Sequence, residues 1–252
     1  MKKVFLYVGC IAAFAACAMT NETSKAEQLR MKTGGFVYDK RQATGRLVIV
    51  NAQKRVSEQP VLAEVSQLER DCMMLTCLVS RDSFDLSRAT EVMSKENASV
   101  AVFLVDIEGL PSVMVSPEQR FSVVNVRALS SEGLGDEALA NRVKKELARA
   151  AAFAFGAGYS VMGGGLMMPV SSVDALDELP MGALTLETTS VIQRLATSHF
   201  GFKLFRRTFY VNALKEGWAP PPKGEYQKVL WEAYHAKPTE PMKIEYDPAK
   251  GR

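Results

Sequence analysis

The stretch RAAAFAFGAGYS, residues 149–160, followed by Met167, decides how this chain is interpreted. Its alanines favour a helix, and Gly156 is typical of a residue that ends one, because glycine readily adopts the left-handed conformation after the last helical turn. Arg149 and Phe153 are four residues apart, so they lie on one face of that helix. Tyr159 follows three residues after the glycine. The stretch therefore predicts a helix, a sharp turn and a loop.

This spacing resembles the zinc-binding motif of the archaemetzincins, a family of metzincin-type metallopeptidases. Their pattern is HExxHxxGxxHC, then four residues, Cys, one residue, Met, seventeen residues and CxxC. Three histidines hold zinc in such a motif, and the glutamate is the general base. Here the three histidine positions are occupied by Arg149, Phe153 and Tyr159, and the glutamate position by Ala150. A guanidinium and a phenyl ring offer zinc no lone pair.

Two positions that shape the backbone agree with the pattern, namely Gly156 and Met167. The four cysteine positions of the family's second site do not, since they are occupied by Ser160, Gly165, Thr185 and Thr188. The resemblance, which covers roughly residues 44 to 190, thus implies the family's fold without a metal, a cofactor or catalysis. The other interpretation is an ordinary alanine-rich buried helix with a glycine cap.

Charged residues around the helix also resemble the family. Arg142, Lys145 and Glu146 precede the helix core, and Asp177 stands where the family has a later aspartate. Glu146 comes one helical turn before Arg149, so we expect an ion pair between them. We assign Asp174 and Asp177 to a helix start, where carboxylates stabilise the helix dipole.

The N-terminus is typical of a secretion signal over residues 1–18. Met1-Lys-Lys is followed by an apolar run from Val4 to Ala16, which is too short for a stable membrane-spanning helix. Phe14-Ala-Ala-Cys17 resembles a bacterial lipobox, which makes Cys17 a lipidation candidate; simple cleavage after Ala18 is the alternative. We expect an exported protein of the bacterial cell envelope, either membrane-anchored or periplasmic, with a flexible tether over residues 19–43.

Apolar runs and helical periodicity predict an α/β (α+β) fold, a mixed β-sheet backed by helices, over residues 44–200. The resemblance implies that this fold is metzincin-like. A C-terminal extension covers residues 201–252. Strands are expected at 46–51, 73–80, 99–106, 111–116, 121–129, 205–211 and 242–246, and helices at 61–70, 87–96, 137–155, 186–198 and 224–236.

The formal net charge is only +3, and it includes the two lysines of the signal. Nucleic acid is therefore not an expected partner, because phosphate backbones require a concentrated basic surface. Membrane contact is expected only through the N-terminal lipid. Whether Cys72 and Cys77 pair is open, with two buried thiols favoured.

These observations predict a catalytically inactive, metallopeptidase-like protein that binds a peptide or protein segment, or serves as a scaffold. The edge of the sheet, used by metzincins for substrate strands, is the expected binding surface. The alternative is an active zinc-dependent peptidase with rearranged ligands, in which His199, His235 and a carboxylate would converge.

Overall fold

The computed structural model describes residues 25–52, 56–131, 133–160 and 164–236. These belong to two compact units, a larger one over residues 40–206 and a smaller one that combines residues before 40 with residues after 206. Among the described residues, no helix has both the length and the apolar character needed to cross a membrane. The predicted signal, Cys17 and the strand at 242–246 lie outside the described residues.

Helices and strands alternate along much of the chain. In chain order they are α1 (25–33), β1 (Phe36–Asp39), β2 (Arg46–Ala52), α2 (Glu58–Cys72), β3 (Leu75–Arg81), a 3-10 turn (Leu86–Arg88), α3 (Ala89–Lys95), β4 (Val100–Val105), β5 (Val113–Ser116), β6 (Phe121–Asn125), α4 (Val126–Leu129), α5 (Asp136–Ala154), α6 (Ala175–Glu178), α7 (Leu186–Arg194), a π-helical turn (Leu195–His199), β7 (Arg206–Phe209), α8 (Tyr210–Lys215) and α9 (Glu225–His235).

The larger unit is built on a five-stranded sheet with the order β3-β2-β4-β6-β5. The first four of these strands are parallel, and β5 pairs antiparallel with β6 at one edge. The predicted mixed sheet backed by helices is thus confirmed. Near-continuous apolar runs mark strands that are covered on both faces, and all residues of β4 are buried.

Alternate residues of the strands face two separate cores. Ile49, Val102 and Val124 face the helices α2 and α5. Val50, Phe103 and Val123 face α3 on the opposite side. Because side chains alternate along a strand, each strand of the sheet contributes to both cores. As a result, α2 and α5 cover one face of the sheet, and α3 covers the opposite face.

The smaller unit contains residues that the sequence analysis assigned to a tether. Residues 25–33 form α1, and Gly34 ends this helix with φ of +69° while its amide donates to the Arg30 carbonyl. β1 then pairs with β7, and the Phe36 ring stacks on Phe209 at a centroid distance of 4.5 Å. The described residues from 25 to 39 are thus structured because their apolar side chains find partners that follow residue 206.

Other boundaries also differ from the sequence analysis. The strand predicted over 121–129 ends at Asn125, and the strand predicted over 205–211 ends at Phe209. In both places the apolar run continues into a short helix, α4 or α8, because periodicity cannot mark where an apolar strand becomes a buried helix. Cys72 and Cys77 are both free, with Cys72 buried and Cys77 half-buried.

Glu64 is a half-buried carboxyl on α2, close to charged groups of its own helix and of α5. Burial, and then the charge of Asp71, raise its pKa from 4.5 to about 7, while Lys144 and Arg70 oppose the shift. A carboxyl whose pKa is raised on folding favours the folded state below its ordinary pKa, and this contribution is lost as pH rises through the folded value.

We therefore expect the parent protein to lose stability as the pH rises from 4.5 to about 7. Glu64→Gln, whose side chain cannot ionise, should not show this loss. At pH 8 the variant should exceed the parent in free energy of unfolding by about 1–3 kcal/mol, and at pH 4 the two should agree. Urea denaturation across this pH range measures the difference. Glu118→Gln, on an exposed turn, is the control, and parallel curves for Glu64→Gln and the parent would contradict the expectation.

Candidate functional site

The site is built where α5 ends. The helix runs to Ala154, and Gly156, with φ of +89°, turns the chain away from the helix axis. The amides of Gly156 and Ala157 donate to the carbonyls of Phe153 and Ala152, at 2.8 and 3.0 Å, and so close the helix end. The predicted helix and turn are therefore present. The chain then returns along the helix, where the Ser160 amide donates to the Met167 carbonyl at 3.0 Å.

Arg149 joins this helix to the returning loop. Its side chain is only 2% exposed. One terminal nitrogen, Nη1, donates to the carbonyls of Leu166 and Met168, at 2.7 and 2.6 Å. Met167, between these two carbonyls, is buried. One guanidinium thus fixes the backbone on both sides of the methionine to the body of α5.

Two aromatic rings flank the guanidinium. The Arg149 Cζ atom lies 5.8 Å from the ring centroid of Phe153 and 5.9 Å from that of Tyr159. The two rings meet edge to face, with centroids 5.3 Å apart. Tyr159 is 53% exposed, so the cluster reaches the surface. The structure thus brings together the three positions that the resemblance aligns with zinc ligands, beside Met167.

A buried carboxylate accompanies the buried cation. Glu146 Oε2 lies 3.1 Å from Arg149 Nε, so the expected ion pair is present. Neither atom makes an aligned hydrogen bond, so we treat this contact as a charge pair. Burial raises the pKa of Glu146, and the charge of Arg149 opposes that shift. The two charges compensate each other in a place that water does not reach.

The positions aligned with the second zinc site also gather in one place, at the start of α7. The hydroxyls of Thr185 and Thr188 are 3.0 Å apart, and Ser160 donates to the Glu187 carboxylate at 2.9 Å. A Cβ atom at Gly165 would lie 2.5 Å from Thr185 Cγ2, and Gly165 has φ of +77°. Glycine is thus the residue that this close approach permits.

Ala150, at the position of the family's glutamate, is completely buried. The Ser122 hydroxyl of β6 donates to the Ala150 carbonyl at 2.8 Å. A small side chain at this position lets α5 approach the sheet closely. A carboxylate at position 150 would therefore be buried against the sheet.

The role assigned to Asp174 and Asp177 was incomplete, because both are partners of a cation on α5. Arg142, which is buried, donates to the carboxylates of Asp174 and Asp177, at 2.7 and 2.6 Å. Lys145 donates to the Leu176 and Asp177 carbonyls. The hydrogen bond from Arg142, and then its charge, lower the pKa of Asp177. The sequence feature that could have predicted these contacts is the spacing of Arg142 and Lys145, which are three residues apart on a mostly buried helix.

Zinc does not fit the residues that this site presents. The guanidinium of Arg149 and the ring of Phe153 have no lone pair for a metal. Within the described ranges, no group of three or more His, Cys, Asp or Glu side chains is placed to hold one. His199 and His235 fall in different units, the first in the larger and the second in the smaller.

No protein-family model matches the chain, and neither does any curated protein sequence. Solved structures that are similar include the following two. One is an archaemetzincin from Methanopyrus kandleri, 18% identical, with a TM-score of 0.47, covering 61% of this chain and 96% of that one. The other is a zinc-dependent peptidase from Methanocorpusculum labreanum, 16% identical, with a TM-score of 0.44, covering 59% and 100%. Similarity at this level carries no information about activity.

Replacing Arg149 by Met keeps much of the volume and removes both carbonyl bonds and the charge partner of Glu146. We expect a loss of about 3–5 kcal/mol in the free energy of unfolding, because a buried charge is left uncompensated. Adding Glu146→Gln should recover part of that loss, so the double variant is more stable than the two single effects predict. Urea denaturation of the three variants measures this coupling.

Arg88→Met is the matched control, since Arg88 pairs with Glu91 on the surface. It should cost less than about 1 kcal/mol. A loss for Arg149→Met no larger than this control would contradict a structural role for the buried guanidinium.

Proposed function

We propose that this protein is an exported, lipid-anchored and catalytically inactive relative of the archaemetzincins that binds a peptide or protein segment. The observation that carries the proposal is the Arg149 guanidinium, which holds the Leu166–Met168 backbone from a position that the sequence resemblance aligns with a zinc ligand. The lipid anchor rests on the sequence around Cys17 alone.

Two features support the absence of zinc hydrolysis at this site. The side chains at the three ligand positions lack the lone pairs that zinc requires, except for the phenol of Tyr159. The position of the general base is an alanine buried against the sheet. A site without a metal and without a base retains hydrogen-bonding groups and apolar surface, which suffice for binding but not for activating water.

We expect purified protein that has been incubated with zinc and then dialysed to retain far less than one zinc per chain, and to cleave no peptide. Metal analysis and a mixture of fluorogenic peptides test this. One tightly bound zinc per chain, together with peptidase activity that is lost in a His199→Ala His235→Ala variant, would instead establish an active peptidase with rearranged ligands.

The free edge of the sheet supports peptide binding. β5 is one of the two edge strands of the sheet, and its residues are half-buried apart from the exposed Val115. It pairs Val115 with Ser122, whose hydroxyl bonds the Ala150 carbonyl next to Arg149. The free edge therefore lies one strand away from the helix segment that carries the aromatic cluster.

The register identifies which backbone groups face outward. The Asn125 amide donates to the Ser112 carbonyl, so Ser112 faces β6 with its hydrogen-bonding groups. Because bonded and non-bonded pairs alternate in an antiparallel ladder, Val113 and Val115 direct their amides and carbonyls away from β6. An extended peptide would pair with these groups by strand addition.

We therefore expect Val115→Pro to abolish binding of a peptide selected from a displayed random dodecapeptide library against the parent protein. Proline removes the outward amide and leaves the ladder to β6 intact, so the free energy of unfolding should change little. Fluorescence polarisation with the selected peptide measures the loss.

Val115→Ala, which shortens the side chain but keeps the amide, should retain binding within a few-fold. Equal affinity for Val115→Pro and the parent would show that the peptide binds elsewhere. A library that yields no specific peptide would favour a scaffolding role.

A further inference from the structure

A cavity of about 380 Å³ lies at the edge of the sheet opposite β5, outside the aromatic cluster. It is formed where β3 ends and the chain continues through the 3-10 turn into α3. α3 packs on the opposite face of the sheet from α5. Nothing in the proposed function uses this cavity, and its volume lies within the range of small-molecule sites.

Both carboxylates that line the cavity are already engaged. Glu91 accepts from Nε and Nη2 of Arg88, at 2.7 and 2.5 Å. Asp85 accepts from the Ser87 amide at 2.9 Å, which caps the 3-10 turn. Each of these carboxylates therefore already has a hydrogen-bond donor within residues 81–95.

The cavity's cations are less completely satisfied. Arg81 pairs through Nη2 with Glu96, but its Nε is buried without a hydrogen-bond partner. Lys95 lines the cavity, and no carboxylate of the described residues lies within ion-pair distance of its ammonium. Arg88 uses only one edge of its guanidinium for Glu91. The groups that remain available are donors with positive charge.

An apolar wall completes the cavity. Phe84 and Val92 line it, and the Phe84 ring stacks on the buried Phe103 at a centroid distance of 4.7 Å. This stacking ties the wall to the core of the larger unit, so the donors are held around a fixed surface. Donors beside an apolar wall suit a ligand that has an acidic group on a small apolar body.

We propose that this cavity binds a small oxyanion, a phosphate or carboxylate group, through Arg81, Lys95 and the free edge of Arg88. The exposed part of the Arg81 side chain, which is 24% exposed, and the ammonium of Lys95 then contact the oxyanion. The ligand's apolar part rests on Phe84. This site is independent of the peptide-binding edge, since it lies at the other end of the strand order.

The test is an amide NMR titration of the purified full chain at low ionic strength, with inorganic phosphate in one series and benzoate in another. We expect saturable shifts that concentrate at residues 81–95. Tighter binding of phosphate would assign the acidic group as phosphate, and tighter binding of benzoate would assign it as a carboxylate next to an apolar ring. No saturable shift at tens of millimolar of either ligand, far weaker than a functional site, would overturn the proposal.

Two variants with opposite expected effects on ligand affinity make the test more specific. Lys95→Gln should weaken binding about tenfold, because one charge-assisted hydrogen bond is lost. Glu91→Gln should strengthen it several-fold, because it removes a negative charge and releases Arg88. Lys203→Gln, which removes the same charge from an exposed position elsewhere in the larger unit, should leave affinity unchanged. If Lys95→Gln and Lys203→Gln weakened binding equally, the effect would come from net charge alone, and the proposed site would be wrong.

Discussion

The buried guanidinium of Arg149 is the contact on which the candidate site depends. It connects helix α5 to the loop that carries Met167, and within that loop the Ser160 amide donates to the Met167 carbonyl. A metal and a guanidinium make such a connection by opposite means. A metal takes lone pairs from side chains that several elements present, whereas a guanidinium donates protons to backbone carbonyls and needs no particular side chain on the loop.

This connection has a cost, which Glu146 offsets. An isolated cation inside a protein is strongly unfavourable, and a carboxylate one helical turn away compensates it. The same principle recurs where Arg142 meets Asp174 and Asp177. Helix α5 therefore presents three buried cations to the segments that follow it: Arg142 and Lys145 bind the segment around Asp177, and Arg149 binds the loop around Met167. The polar residues of this mostly buried helix are explained by these tertiary contacts.

Much of this could be predicted from the sequence. Apolar runs identified the five strands of the main sheet, and glycine with alanine identified the end of α5, because these signals are local. The pair of Glu146 and Arg149 followed from helical spacing. The carbonyl partners of Arg149 could not be predicted, since they depend on where the loop before Met168 returns. The pairing of β1 with β7 was missed for the same reason, because it joins residues about 170 positions apart.

The arrangement around Arg149 also limits what mutation can achieve. A change to histidine at position 149 would leave the Leu166 and Met168 carbonyls without a donor and Glu146 without a counter-ion. A carboxylate at position 150 would meet the sheet, where Ser122 now lies. Either of these two substitutions therefore gives a less stable protein, and neither alone creates a metal-binding centre. The side chain that holds the loop in place thus makes substitution toward a metal-binding site costly in stability.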